Sequence, residues 1–144
     1  MRLEISAATA EGFRERARWR YEPPFDLYDE DGKPVKNPER FFEARDESGA
    51  LVGFYYFERS GPTVKFGLGL RPDLTGKGLG LEFVEAGIEF ARERFRPKRI
   101  VLEVFEFNER AVKVYEQAGF RVTGRRIQPY RNQKIETVDM EKTF

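Results

Sequence analysis

Between residues 40 and 70, three stretches dense in aromatic and β-branched side chains follow one another: Arg40–Asp46, Leu51–Glu58 and Thr63–Leu70. Only four residues separate each pair, and Glu47-Ser48-Gly49 and Ser60-Gly61-Pro62 within those gaps have the turn chemistry of tight hairpins. Connections this short cannot carry a parallel crossover, so the three segments should form an antiparallel meander. The chain of 144 residues and 16.9 kDa fits one domain, 1–144. With 40% hydrophobic residues, 14 Phe and 6 Tyr, it has enough apolar surface to bury a core.

Other elements flank the meander. Arg2–Ala7 reads as a short strand, and Thr9 can cap a helix from Ala10 to Trp19. Glu22–Pro38 is rich in breakers and reads as a loop with one helical turn. Its Asp29-Glu30-Asp31-Gly32 lacks the later glutamate of a calcium loop and reads as a turn. Gly78–Phe95 has the periodicity of a helix and stops at Arg96-Pro97, and Arg99–Phe105 alternates like a strand. Asn108 can cap a helix whose Ala111, Val114, Tyr115 and Ala118 share one face, with Gly119 behind it. Strands then start at Phe120 and span Lys134–Met140. This order predicts an α+β domain, a mainly antiparallel sheet with helices on both faces.

Several functions are disfavoured by what the chain holds. It contains no Cys and no His, which removes disulfides, thiolate nucleophiles, Ser-His pairs and the usual zinc ligands, so no metal is expected. A net charge of +1 disfavours a broad basic face for nucleic acid. No apolar run is long enough for a membrane span and no signal-peptide pattern opens the chain, so a cytoplasmic place is expected. The charge is uneven: residues 1–60 carry 10 basic and 13 acidic side chains, residues 61–144 carry 16 and 12.

Leu70-Arg71-Pro72-Asp73-Leu74-Thr75-Gly76-Lys77-Gly78-Leu79-Gly80 sets three glycines and a lysine between a strand and a helix. First-turn amides lack intrahelical partners and sit at the positive end of the helix dipole, so glycines that admit a ligand make a phosphate cradle. Arg71 and Gly78 stand where a Walker loop needs Gly and Ser or Thr, and Leu81 where a dinucleotide fingerprint needs Gly. A ligand-free turn is the other reading of the segment taken alone.

Thirty residues on come Leu102-Glu103-Val104, Asn108, Ala111, Tyr115 and Gly119-Phe120. Together, the two segments resemble the GNAT superfamily of acyl-CoA-dependent N-acyltransferases, most strongly over residues 50–128. The family's Arg/Gln-x-x-Gly-x-Gly/Ala motif falls on Thr75, Gly78 and Gly80, with Thr75 in place of a long polar residue. Its strand-Asn-x-x-Ala-x-x-x-Tyr-x-x-x-Gly-Phe half is matched throughout.

The resemblance implies acetyl-CoA as co-substrate, seated in a wedge where Thr63–Leu70 splays from Arg99–Phe105. Leu68 and Leu70 would supply backbone contacts to the pantetheine arm. Thr75, Gly76, Lys77, Gly78, Leu79 and Gly80 would surround the diphosphate, with Asn108 and Lys113 also toward the cofactor. Tyr115 matches the general acid of many relatives, and a phenol with a pKa of about 10 keeps its proton at neutral pH. Its position on an apolar stripe equally suits a core aromatic. Glu103, twelve residues before Tyr115, is similar to the base of the ribosomal-protein N-terminal acetyltransferases; a strand-face glutamate paired with an arginine is the competing reading.

Trp19–Asp29 interleaves aromatics and carboxylates where relatives build the acceptor pocket, which suits a cation held by Glu22, Asp26 and Tyr28. The expected reaction is direct acetyl transfer to a primary amine, a small molecule or a peptide N-terminus. A non-catalytic acyl-CoA-binding domain and a homodimeric interaction module are the alternatives.

Overall fold

The computed structural model describes residues 2–144. Its elements are β1 (Glu4–Ala7), α1 (Ala10–Arg16), β2 (Phe41–Arg45), β3 (Leu51–Ser60), β4 (Thr63–Leu70), α2 (Gly80–Phe95), β5 (Arg99–Phe105), α3 (Glu109–Gln117), β6 (Arg121–Tyr130) and β7 (Gln133–Thr143). Three short 3-10 turns lie at Phe25–Tyr28, Pro38–Arg40 and Pro72–Leu74. The α+β expectation is borne out: three helices accompany one seven-stranded mixed sheet of order β1-β2-β3-β4-β5-β7-β6.

The element ends have local causes. The Thr9 hydroxyl accepts from the Gly12 amide at 3.0 Å and starts α1. That helix stops at Arg16, short of the expected Trp19. Arg18 and Trp19 amides turn back to carbonyls three residues earlier, and Arg20 Nη1 donates to the Ala17 and Trp19 carbonyls at 2.9 and 2.8 Å. The helix α2 begins at Gly80 rather than Gly78 because Gly76 and Gly78 are left-handed, with φ of 72° and 78°. The hairpin β6–β7 turns on Arg131 and Asn132, both at positive φ as a twisted two-residue turn requires, so β7 starts before the expected Lys134.

The described residues cluster into two compact units, one of residues 2–56 with Leu68–Leu79 and one of Phe57–Gly67 with Gly80–Phe144. In the amino-terminal unit, β2 pairs antiparallel with β1 and with β3, and Phe42, Ala44, Leu51, Val52 and Tyr55 are buried. In the carboxy-terminal unit, Phe57 stacks on Phe66 at 5.4 Å and on Phe90 at 5.7 Å, over a core that includes Phe83, Ile100, Leu102 and Met140. There β4 and β5 run parallel, but their ladder covers only Thr63–Lys65 and Arg99–Val101. By contrast, β5 pairs with β7 along its whole length. No helix of the described residues is long and apolar enough to cross a membrane.

Candidate active site

The turn before α2 is open. Thr75 Oγ donates to the Pro72 carbonyl at 2.7 Å, so its hydrogen is used within the turn and the segment is braced from inside. Gly76, Lys77 and Gly78 are exposed, and a Cβ built on Gly78 meets nothing within 4 Å. Sixteen residues of helix follow in the chain, and the first-turn amides of a helix carry partial positive charge. The chemistry of the turn fits a diphosphate.

The amino-terminal unit brings together a constellation that the residue pattern did not show. Arg16, 7% exposed, places its guanidinium carbon 3.5 Å from the centroid of the Phe54 ring, 4.8 Å from that of Phe41 and 5.3 Å from that of Phe13. Its Nε donates to Glu30 at 2.9 Å. Burial lowers the guanidinium pKa and Glu30 opposes that fall. Phe54, stacked with Trp19, lies so close to β4 that a Cβ on Gly69 would stand 2.4 Å from its ring. Gly69 therefore has a packing reason to lack a side chain. One residue on, the Leu70 carbonyl accepts from the Tyr21 hydroxyl at 2.6 Å. Burial raises the Tyr21 pKa, so this phenol stays protonated and donating at neutral pH.

The expected acceptor carboxylates are differently placed. Glu22 and Asp26 are exposed and Tyr28 is 36% exposed, whereas Asp29 accepts from the Tyr21 amide at 2.9 Å and Glu30 holds Arg16. The inward carboxylates are thus Asp29, the last of the aromatic-acidic segment, and Glu30, one residue beyond it. Among the described residues no group of three or more carboxylates is gathered as a metal site.

In the carboxy-terminal unit, Asn108 caps α3, its Oδ1 accepting from the Ala111 amide at 3.2 Å. Lys113 is exposed on that helix. Tyr115 is 9% exposed and meets Phe120 edge-on at 5.8 Å. The Glu103 carboxylate is shared: Oε1 accepts from Arg126 at 2.5 Å, Oε2 from Gln128 at 3.3 Å, and Lys65 stands 3.9 Å away. Arg126 also donates twice to Asp139, at 2.8 Å each. Of the two readings of Glu103, the paired strand-face carboxylate has this geometry beneath it.

Arg16, Tyr21, Glu30 and Phe54 escaped the residue-level reading. The one usable signal was Phe13 three residues before Arg16, which puts a ring and a cation on the same face of α1.

A model of the acetyltransferase (GNAT) family matches residues 6–120. A mycothiol acetyltransferase of Propionibacterium freudenreichii is 40% identical over 91 residues, 60% of this chain and 29% of that protein. One of Salinispora arenicola is 33% identical over 124 residues, 82% of this chain and 39% of that protein. The chain thus spans well under half the length of these relatives. A crystal structure of spermidine N-acetyltransferase from Vibrio cholerae, in complex with CoA and spermine, superposes with a TM-score of 0.81 at 16% identity, covering 98% of this chain and 95% of that one. At that identity the likeness concerns the fold.

Proposed function

The chain belongs to the acetyltransferase (GNAT) family, and from that premise we propose that it transfers an acetyl group from acetyl-CoA directly to a primary amine. The observation that carries the reading is the open glycine turn: two left-handed glycines, exposed, with no neighbour where a Gly78 side chain would stand, at the start of a 16-residue helix. Acetyl-CoA supplies the acetyl group as a thioester.

Each residue's share follows from its chemistry. The amides of Gly76, Gly78, Leu79 and Gly80 bind the diphosphate, with the Lys77 cation beside them and Thr75 bracing the turn. Beyond Lys65 the β4 backbone takes no part in the ladder with β5, and the backbone of Leu68 and Leu70 there suits the pantetheine amides. Asn108, at the N-terminus of α3, and Lys113, midway along it, serve as further polar contacts to the cofactor. Tyr115 holds a proton at its phenolic oxygen and gives it to the departing sulfur.

Arg126 and Gln128 hold hydrogen bonds to both Glu103 oxygens, at 2.5 and 3.3 Å, so an acceptor amine would have to displace them to reach that carboxylate. Loss of the ammonium proton is therefore assigned to water. The acceptor is a small amine or a peptide N-terminus: names of the relatives point to small molecules, and the Glu103–Tyr115 spacing resembles the enzymes that modify ribosomal-protein N-termini.

The test is Tyr115→Phe, which keeps the ring against Phe120 and removes the donor. Turnover should fall by roughly 10² to 10⁴ with acetyl-CoA affinity, read by calorimetry, unchanged. A variant of normal rate returns Tyr115 to the core.

A further inference from the structure

Arg16 Nη1 is buried and has no hydrogen-bond partner. A guanidinium has five N–H donors and no way to rehydrate once enclosed, so an unmatched one is a standing cost that folds rarely keep without use. The inward-turned carboxylates of this unit already have partners. Glu30 accepts from Nε, Asp29 from the Tyr21 amide, and Glu43 is shared by Thr9 and Arg45 at 3.4 Å each. Phe13, Phe41 and Phe54 flank the guanidinium with rings, which offer a face to the cation but no lone pair directed at Nη1. Nη1 lies on the side of the guanidinium away from Nε–H, so Glu30 leaves that end unserved.

The place of this donor gives it a use. Phe54, under the guanidinium, is also the ring against Gly69, and Tyr21 anchors its hydroxyl on the Leu70 carbonyl. Arg16 is thus one ring removed from the strand proposed to take the pantetheine arm. We propose that Arg16 is a specificity-determining residue whose Nη1 hydrogen-bonds an oxygen neighbouring the acceptor amine, so that the site selects amino-acid and peptide α-amines over polyamines. This rests on the acetyl-transfer reading. A polyamine brings more cations and no oxygen, so beside Arg16 it meets like charge and leaves Nη1 unmatched. An α-amine brings the carbonyl or carboxylate oxygen that Nη1 lacks, in a dry site where a charge-assisted bond is strong. Glu30 keeps its 2.9 Å bond to Nε, and the way to Nη1 is through the flanking rings of Phe13, Phe41 and Phe54, each only half-buried, one of which yields to admit the oxygen.

The experiment compares alaninamide, which has the oxygen, with propylamine and spermidine, which lack it, by kcat/KM in the native chain and in Arg16→Gln and Arg16→Lys. Taking the ratio of alaninamide to propylamine within each protein and comparing proteins cancels the different basicity of the amines. The ratio should fall at least tenfold in Arg16→Gln, through KM, with part of it kept in Arg16→Lys. An unchanged ratio overturns the proposal even if overall activity drops. A second measurement needs neither a variant nor turnover: calorimetric titration of the native chain with N-acetylalaninamide and with N-propylacetamide. At least tenfold tighter binding of the first supports the proposal, while equal binding or binding of neither overturns it. Absence of thiol release with every amine is the separate failure of the acetyl-transfer reading.

Discussion

Gly69→Ala adds one methyl group where the structure leaves it no room. The new Cβ would lie 2.4 Å from Phe54 Cε1 and 2.6 Å from Cζ, whereas carbon atoms rest at about 3.5–4.0 Å, so the ring must retreat by roughly 1 Å. Three neighbours resist that movement. Trp19 stacks with it at 6.4 Å, Phe41 stands at 6.2 Å and the Arg16 guanidinium covers it at 3.5 Å. Overpacking of this kind costs about 1–3 kcal/mol, and the stiffer unfolded chain returns about 0.4–1 kcal/mol. The net loss is about 1–2 kcal/mol, which for a chain of this size lowers Tm by about 3–10 °C. Scanning calorimetry reads it. Adding Phe54→Leu, which shortens the obstructing ring, should recover about 0.5 kcal/mol or more through coupling. A Gly69→Ala variant as stable as the native chain would refute the packing of Phe54 on β4 and the place given to Arg16 above it.

Three further perturbations separate local roles. Gly78→Ala should weaken acetyl-CoA at least tenfold, about 1.4 kcal/mol. Gly49→Ala, equally left-handed with φ of 84° and with nothing within 4 Å, carries the same strain and should leave affinity alone. Equal affinities in calorimetry move the diphosphate elsewhere. With water taking the ammonium proton, as proposed, Glu103→Gln should change kcat by less than about threefold, an exposed pair being worth about 0–1 kcal/mol; a fall of about 100-fold, deepest at low pH, would make Glu103 the base. Asp46 accepts from Ser48 Oγ at 2.6 Å, the Ser48 amide at 2.9 Å and the Ala50 amide at 3.2 Å, the hydroxyl bond first among the causes that lower its pKa. Its contribution is present above the unfolded carboxylate range near pH 4 and lost as pH falls through the lowered folded value. Asp46→Asn should flatten that part of the acid unfolding curve, and an unaltered curve would refute the linkage.

Legibility in the sequence followed the range of the interactions. The strands Thr63–Leu70 and Arg99–Phe105 have the expected limits because alternation and bounding Gly or Pro residues are local signals. Thr9 and Asn108 cap helices as their side chains predict. Helix α1 ended early because Arg20 folds back on carbonyls, a choice no periodicity reports. The side-chain partnerships were illegible for a plainer reason. Arg16 meets Glu30 across 14 residues, Glu103 meets Arg126 across 23, and Tyr21 meets Leu70 across 49. With many carboxylates in the chain, only the fold decides which turn inward, and it turned Asp29 and Glu30 rather than Glu22 and Asp26.

The central claim is acetyl transfer from acetyl-CoA to an amine, and one measurement meets it directly. The chain is incubated with acetyl-CoA carrying an isotopically labelled acetyl group and with alaninamide, and free thiol is counted while the amine is weighed by mass spectrometry. The account predicts one labelled acetyl on the amine for each thiol released, no label retained on the protein, and loss of both signals together in Tyr115→Phe. Thiol release without labelled amine, or no release with alaninamide or any other primary amine, would contradict it.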